Sequence, residues 1–173
     1  MKKTKITKEL LIYLIITICW IALIFSFSLQ PAEISDNTSS GFGTWIIETF
    51  VPDLLDELEG MSGEQLGLLH HLLRKCAHFT EYFVLGVLMM LTVSQTILRY
   101  KVPSGIGACA LVASVDETIQ RFVPGRSGQV TDVLLDSTGA MLGICVVVLL
   151  AKWLRKRRKK NGGFENNRKR FIG

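Results

Sequence analysis

The chain has 173 residues, 49% of them hydrophobic, with a mean hydropathy of +0.34 and a formal net charge of +5 at pH 7. That is the length of one domain, but it is more apolar than a water-soluble domain usually is, so composition points to a membrane. The excess positive charge sits at the two ends of the chain. This is the pattern of a topological bias with attraction to anionic inner-leaflet lipid, and it gives no reason to expect nucleic-acid binding.

Lys2, Lys3, Lys5 and Lys8 precede the stretch LLIYLIITICWIALIFSFSL, Leu10 to Leu29, which carries no charge. Its length matches the ~20 residues that cross a bilayer's hydrocarbon core. A secretory signal has the same order of charge then apolar run, and Ser26 and Ser28 mimic a cleavage site, but this run outlasts the ~7–15 residues of a signal core. The segment therefore reads as an uncleaved anchor behind a basic cytoplasmic N-terminus, residues 1–9. Between Leu10 and Leu73 there is no Lys or Arg, whereas Glu33, Asp36, Glu48, Asp53, Asp56, Glu57, Glu59 and Glu64 are all acidic. The segment from Pro31 to His71 is expected outside. Within it, Trp45, Ile46, Ile47 and Phe50, and then Leu66, Leu68, Leu69, Leu72 and Leu73, predict two short amphipathic helices that cap the bundle or rest on the outer leaflet.

A second span is predicted from about Cys76 to Leu98 and a fourth from about Val130 to Leu154. Between them, VPSGIGACALVASVDETIQRF is shorter and is interrupted by Asp116 and Glu117. Charge placement still makes it a third span, because four crossings leave both basic ends, and Arg99 and Lys101 of the second link, on the cytoplasmic side. The fold class is thus all-α: a polytopic four-transmembrane-helix bundle, residues 10–154, with a short external helical segment between spans one and two. Residues 155–173 form a basic cytoplasmic tail with the composition of a disordered extension on anionic lipid. Of the four cysteines, Cys19, Cys109 and Cys145 fall in apolar spans as packing residues, and Cys76 lies nearer the outer surface without an obvious partner.

Ionisable residues are expensive inside a membrane, and here they cluster. At helical spacing Arg74, His78, Glu81 and Tyr82 share one face, with Lys75 beside them. Asp116 and Gln120 are one turn apart in span three, with Glu117 adjacent and Arg126 just beyond. Asp132 and Asp136 are one turn apart in span four, and Gly139 and Gly143 continue that stripe at a spacing that permits close helix approach. Each group lies toward the outer end of its helix, so the three can meet as one site. Cations, carboxylates and one imidazole behind apolar walls make Glu81, Glu117, His78 and Asp116 acid and base candidates. A divalent metal held by His78, Glu81, Glu117 and Asp132 is a weaker reading, because no geometry is fixed by the sequence, so no metal or other cofactor is assigned. A third reading is a buried salt-bridge network that only locks the bundle.

In order along the chain, FSFSLQPAEIS, RKCAHFTEYFVLG, DETIQRFVPGR and TDVLLDSTGAMLG resemble the motifs of the VanZ family of membrane proteins. The resemblance covers roughly Ser26 to Gly143. Asp136 is a departure, standing where the family pattern more usually has Asn. The resemblance implies a plasma-membrane protein of Gram-positive bacteria linked to tolerance of teicoplanin-type glycopeptides. It makes a membrane lipid or lipid-linked cell-wall precursor the expected partner. Arg74, Lys75 and Arg126 would meet its phosphate or sugar head, and Tyr82, Gln120, Asp132 and Asp136 would complete the pocket. Whether the site is catalytic or only binds is open. A non-catalytic immunity module that shields a target is the alternative. A small proton-coupled transporter is disfavoured, since no inverted repeat is visible.

Overall fold

The structure, a computed structural model, describes residues 7–32, 62–126 and 128–172 together with positions 34, 41, 45 and 49; the side chains of 70 and 159–172 are not described. Four helices account for almost all of it: α1 Lys8–Ser28, α2 Gly63–Ser94, α3 Lys101–Gln120 and α4 Val130–Ile172. All four are long and apolar enough to cross a membrane, so the chain is a multi-pass membrane protein. The third span, weakest by hydropathy, is a continuous helix despite Asp116 and Glu117.

Local sequence sets the ends. The Thr7 hydroxyl accepts the Leu10 N–H at 3.2 Å and starts α1. Ser62 and Gln65 form a reciprocal capping box at the start of α2, which therefore begins well before Cys76. The second predicted amphipathic segment is thus the first three turns of α2 rather than a separate helix; most of the first lies outside the described residues. At the far end of α2, Lys101 Nζ donates to the Ser94 carbonyl at 2.6 Å, satisfying one of the carbonyls a helix C-terminus leaves open. The basic tail differs from expectation, since α4 runs on as helix to Ile172. The Leu, Arg and Lys residues up to Lys160 are good helix formers and carry the helix beyond the apolar run, whereas propensity does not explain its passage through Asn161, Gly162 and Gly163.

α2 packs most extensively on α4, α3 rests on both, and α1 lies against α2 and α3. Glycines allow the α2–α4 crossing. A Cβ at Gly139 would sit 2.6 Å from the Phe79 carbonyl oxygen, and one at Gly143 or Gly86 would run into the carbonyl oxygens of Phe83 and Ala140. The stripe read from the sequence is therefore the contact that brings these two backbones together. Ile24, Leu85, Cys109, Ala113, Ala140 and Ile144 fill the interior. Outward, Leu11, Ile12, Ile15, Ile18, Leu111, Leu134, Leu142, Leu149 and Leu150 are exposed along the helices. So many large apolar side chains on one surface suit hydrocarbon and would be an aggregation hazard in water. Cys19 and Cys145 belong to this outer surface, and only Cys109 packs inside.

Candidate functional site

The link after α3 fixes one end of the bundle. Val123, Pro124, Gly125 and Arg126 form a turn closed by the Arg126 N–H to the Val123 carbonyl at 3.2 Å. Pro stands second and Gly125 third with φ +76°, a left-handed value that glycine adopts without strain. The Pro124 carbonyl accepts the Ala32 N–H at 3.3 Å, so the turn grips the chain leaving α1. Arg126 then reaches back, its Nη2 donating to the Phe27 carbonyl at 3.0 Å. Trp20 adds a tie from α1 to α2 by donating to the Glu81 carbonyl at 3.0 Å. The first span is thus built into the site's walls.

Inside this frame, α2, α3 and α4 deliver polar groups to one level. Tyr82, Asp116 and Asp136 are each 0% exposed. One ligand atom each from His78, Asp116 and Asp136 lies within 4.8 Å of the others. The Asp116 Oδ2 accepts from Gln120 Nε2 at 3.2 Å, and Gln120 is 3.5 Å from Ser28 Oγ. The Ser28 and Tyr82 hydroxyls also face Asp116. His78 Nδ1 is 3.9 Å from Glu81 Oε2, inside ion-pair range but too long for a hydrogen bond. Further out, Lys75 Nζ pairs with Asp132 Oδ1 at 3.1 Å, and both side chains are partly open. Arg74 contributes to the field at His78, as does Arg126.

Glu117 is turned differently from its neighbour Asp116. Its Oε2 accepts the Gln129 N–H at 2.9 Å, so the carboxylate is held against the start of α4. There it lines a cavity of about 260 Å³ between α3 and α4, with Ser114, Thr118, Arg121, Gln129, Val130 and Val133. Its lining combines polar side chains with two valines. Of the carboxylates anticipated as acid or base, Glu117 lines this cavity, while Asp116 is interior. Gly128 lets this happen, because any Cβ there would strike the Glu117 carbonyl.

The site residues singled out from the sequence lie on this end of the bundle, in three places. His78, Glu81, Tyr82, Asp116, Gln120 and Asp136 form an interior group, with Arg126 and Arg74 at its edge. Glu117 faces the cavity, and Lys75 and Asp132 pair at the rim. The sequence reading missed Ser28, Arg121 and Gln129. Arg121 had a signal, standing one turn after Glu117. Ser28 had none, since only the packing of α1 brings it to Gln120. The metal reading changes partners too: the group close enough for one ion joins Asp116 and Asp136 to His78 in place of Glu81, Glu117 and Asp132.

Among the described residues, several buried atoms of the interior group make no hydrogen bond: His78 Nδ1, Tyr82 Oη, Asp116 Oδ1 and both oxygens of Asp136. Buried polar atoms are normally satisfied, and each exception costs ~1–3 kcal/mol. Such a concentration at one level is what a site that takes up something from outside presents.

A comparison with known families matches residues 13–151 to the model described as VanZ/LLP1. No curated protein and no solved structure matches the chain. The match covers most of the chain, reaching into all four spans and taking in the polar residues described above, so the protein belongs to the VanZ-like family.

Proposed function

We propose that this VanZ-like protein binds, and acts on, an envelope lipid or lipid-linked cell-wall component through an outward-facing polar pocket within the plasma membrane. The observation that carries the reading is the amphiphilic cavity beside the interior polar group. Glu117 and Arg121 line it with Val130 and Val133, a pairing of chemistries that suits a polar head continuing into an acyl or prenyl chain. Arg126 and Arg74 supply positive charge at the edge of the interior group, where a phosphate would be stabilised. Glu117, fixed by the Gln129 N–H, is the acid or base closest to such a head, with His78 and Glu81 behind it. The lysines before α1 and the basic residues ending α4 favour both termini in the cytoplasm, which turns this pocket outward and lays the tail on anionic lipid. A teicoplanin-type tolerance phenotype fits a protein that alters or occupies a wall precursor.

A second reading, a non-catalytic binding or immunity module, draws on a different observation. Arg126 is tied to the Phe27 carbonyl and Lys75 to Asp132, so two cations serve to hold the frame. Lipid mass spectrometry separates the two. A lipid or precursor whose abundance changes in membranes carrying the protein, and reverts with Glu117→Gln, supports action on it. One that co-purifies unchanged supports binding alone, and no difference in either sample contradicts both. Reporter fusions at residues 35 and 165 test orientation, with export expected only for the first.

A further inference from the structure

We infer that His78, Asp116 and Asp136 form an intramembrane site for a divalent transition-metal ion. Each comes from a different helix, and one ligand atom of each lies within 4.8 Å of the other two. The two aspartates are 0% exposed. Both Asp136 oxygens, Asp116 Oδ1 and His78 Nδ1 are buried with no hydrogen-bond partner among the described residues. Asp116 Oδ2 is engaged by Gln120, which leaves Oδ1 free to face the centre and orients it, the usual relation between a ligand and its outer-shell support.

The charge balance runs the same way. Asp116, Glu117, Asp132 and Glu81, all carboxylates, act on Asp136, while the cation Arg74 is felt at His78. Arg126 is felt at Asp116 and His78, but its Nη2 is turned to the Phe27 carbonyl on the α1 side. Two carboxylates and an imidazole with open lone pairs, buried inside the bundle, are complementary to a cation at their centre. One imidazole nitrogen with two carboxylate oxygens is a donor set for Zn²⁺ or Mn²⁺. Ligands at the usual ~2.1 Å stand ~3.4 Å apart around a tetrahedral ion, so atoms that lie within 4.8 Å of one another close inward by at most about an ångström and a half on binding. Glu81 Oε2, 3.9 Å from His78 Nδ1, is the nearest further donor. Three protein ligands would leave a position for water or a substrate oxygen. The inference rests on this geometry and not on the lipid reading: metal uptake without any lipid ligand would keep it and discard the other.

The test uses the full chain in detergent, stripped with chelator and then offered Zn²⁺ or Mn²⁺. Retained Zn²⁺ is counted by elemental analysis after gel filtration, and Mn²⁺ uptake is followed by electron paramagnetic resonance. A single ion per chain is expected, with affinity reduced by roughly tenfold or more in Asp136→Asn and in Asp116→Asn and unchanged in Thr92→Val. Coupling of bound Mn²⁺ to an imidazole nitrogen is expected in the unaltered protein, a result that needs no variant to fold. Substoichiometric uptake by the unaltered protein, equal uptake by both aspartate variants, or bound Mn²⁺ without nitrogen coupling would each overturn the assignment.

Discussion

Toward the end of the bundle where α2 finishes, buried polar groups are satisfied. Thr17 Oγ1 and Thr92 Oγ1 lie 2.9 Å apart across α1 and α2, and each also bonds its own helix, to the carbonyls of Tyr13 at 2.8 Å and Leu88 at 2.9 Å. Toward the other end, at the level of His78, Asp116 and Asp136, buried atoms are left without hydrogen bonds although donors and acceptors stand close by. The same helices pass through both regions, so the difference does not come from a general looseness of packing. Polar residues at the first end hold helices together. At the second, the proposed site, several are left without partners among the described residues.

The two regions should respond to mutation in opposite ways, and the largest effect belongs to the packing that both depend on. Gly143→Leu drives a side chain into the Phe83 carbonyl, and overpacking of this kind costs about 3 kcal/mol or more. The expected outcome is loss of the protein from membranes and aggregation on gel filtration; normal abundance would mean that α2 and α4 do not approach as described. Glu117→Gln comes next and sharpens the contrast. The amide oxygen can still accept the Gln129 N–H, so the melting temperature should move by only about 3 °C, on the order of 1 kcal/mol for a chain this long, while any lipid change or glycopeptide tolerance is lost. A fall in abundance that tracks the loss would return Glu117 to a structural role.

At the satisfied end the effects are smaller and purely structural. Thr92→Val should cost roughly 0.6–1 kcal/mol, the usual worth of an interhelical hydrogen bond in a membrane, read as a lower melting temperature with function kept. Because removing both partners is cheaper than orphaning one, adding Thr17→Val should cost less than a second such loss. The smallest effect is expected at the rim, where Lys75 and Asp132 have side chains 34% and 23% exposed. Lys75→Met should change stability by about 0–1 kcal/mol, as for other solvent-reached ion pairs, with the melting temperature as the readout.

Much of this was legible in the sequence, for physical reasons that also mark its limits. Span one announces itself by twenty uncharged residues, Leu10 to Leu29. The third span had to be inferred from charge on its flanks, since Asp116 and Glu117 lower its hydropathy. Helical spacing put Asp132, Asp136, Gly139 and Gly143 on one stripe, and the glycines do meet Phe79 and Phe83. Spacing along one helix cannot give the register between helices. It could not say that Asp136 would reach His78 while Asp132 turned to Lys75, or which of the adjacent Asp116 and Glu117 would point inward. The early start of α2 was written in Ser62 and Gln65, a cap obscured by the search for a purely apolar run.

The central claim, that the buried polar group is kept for a ligand and not for the fold, is tested most directly by the melting temperature of Asp136→Asn in chelator-treated, lipid-stripped detergent solution. The asparagine keeps the shape and removes a charge that the surrounding carboxylates do not welcome, so the variant should melt at the same temperature as the unaltered protein or higher. If Asp136 instead anchors a buried ion-pair network, breaking it costs ~3–5 kcal/mol. At ~2–4 °C per kcal/mol, a drop of roughly 6 °C or more would contradict the account.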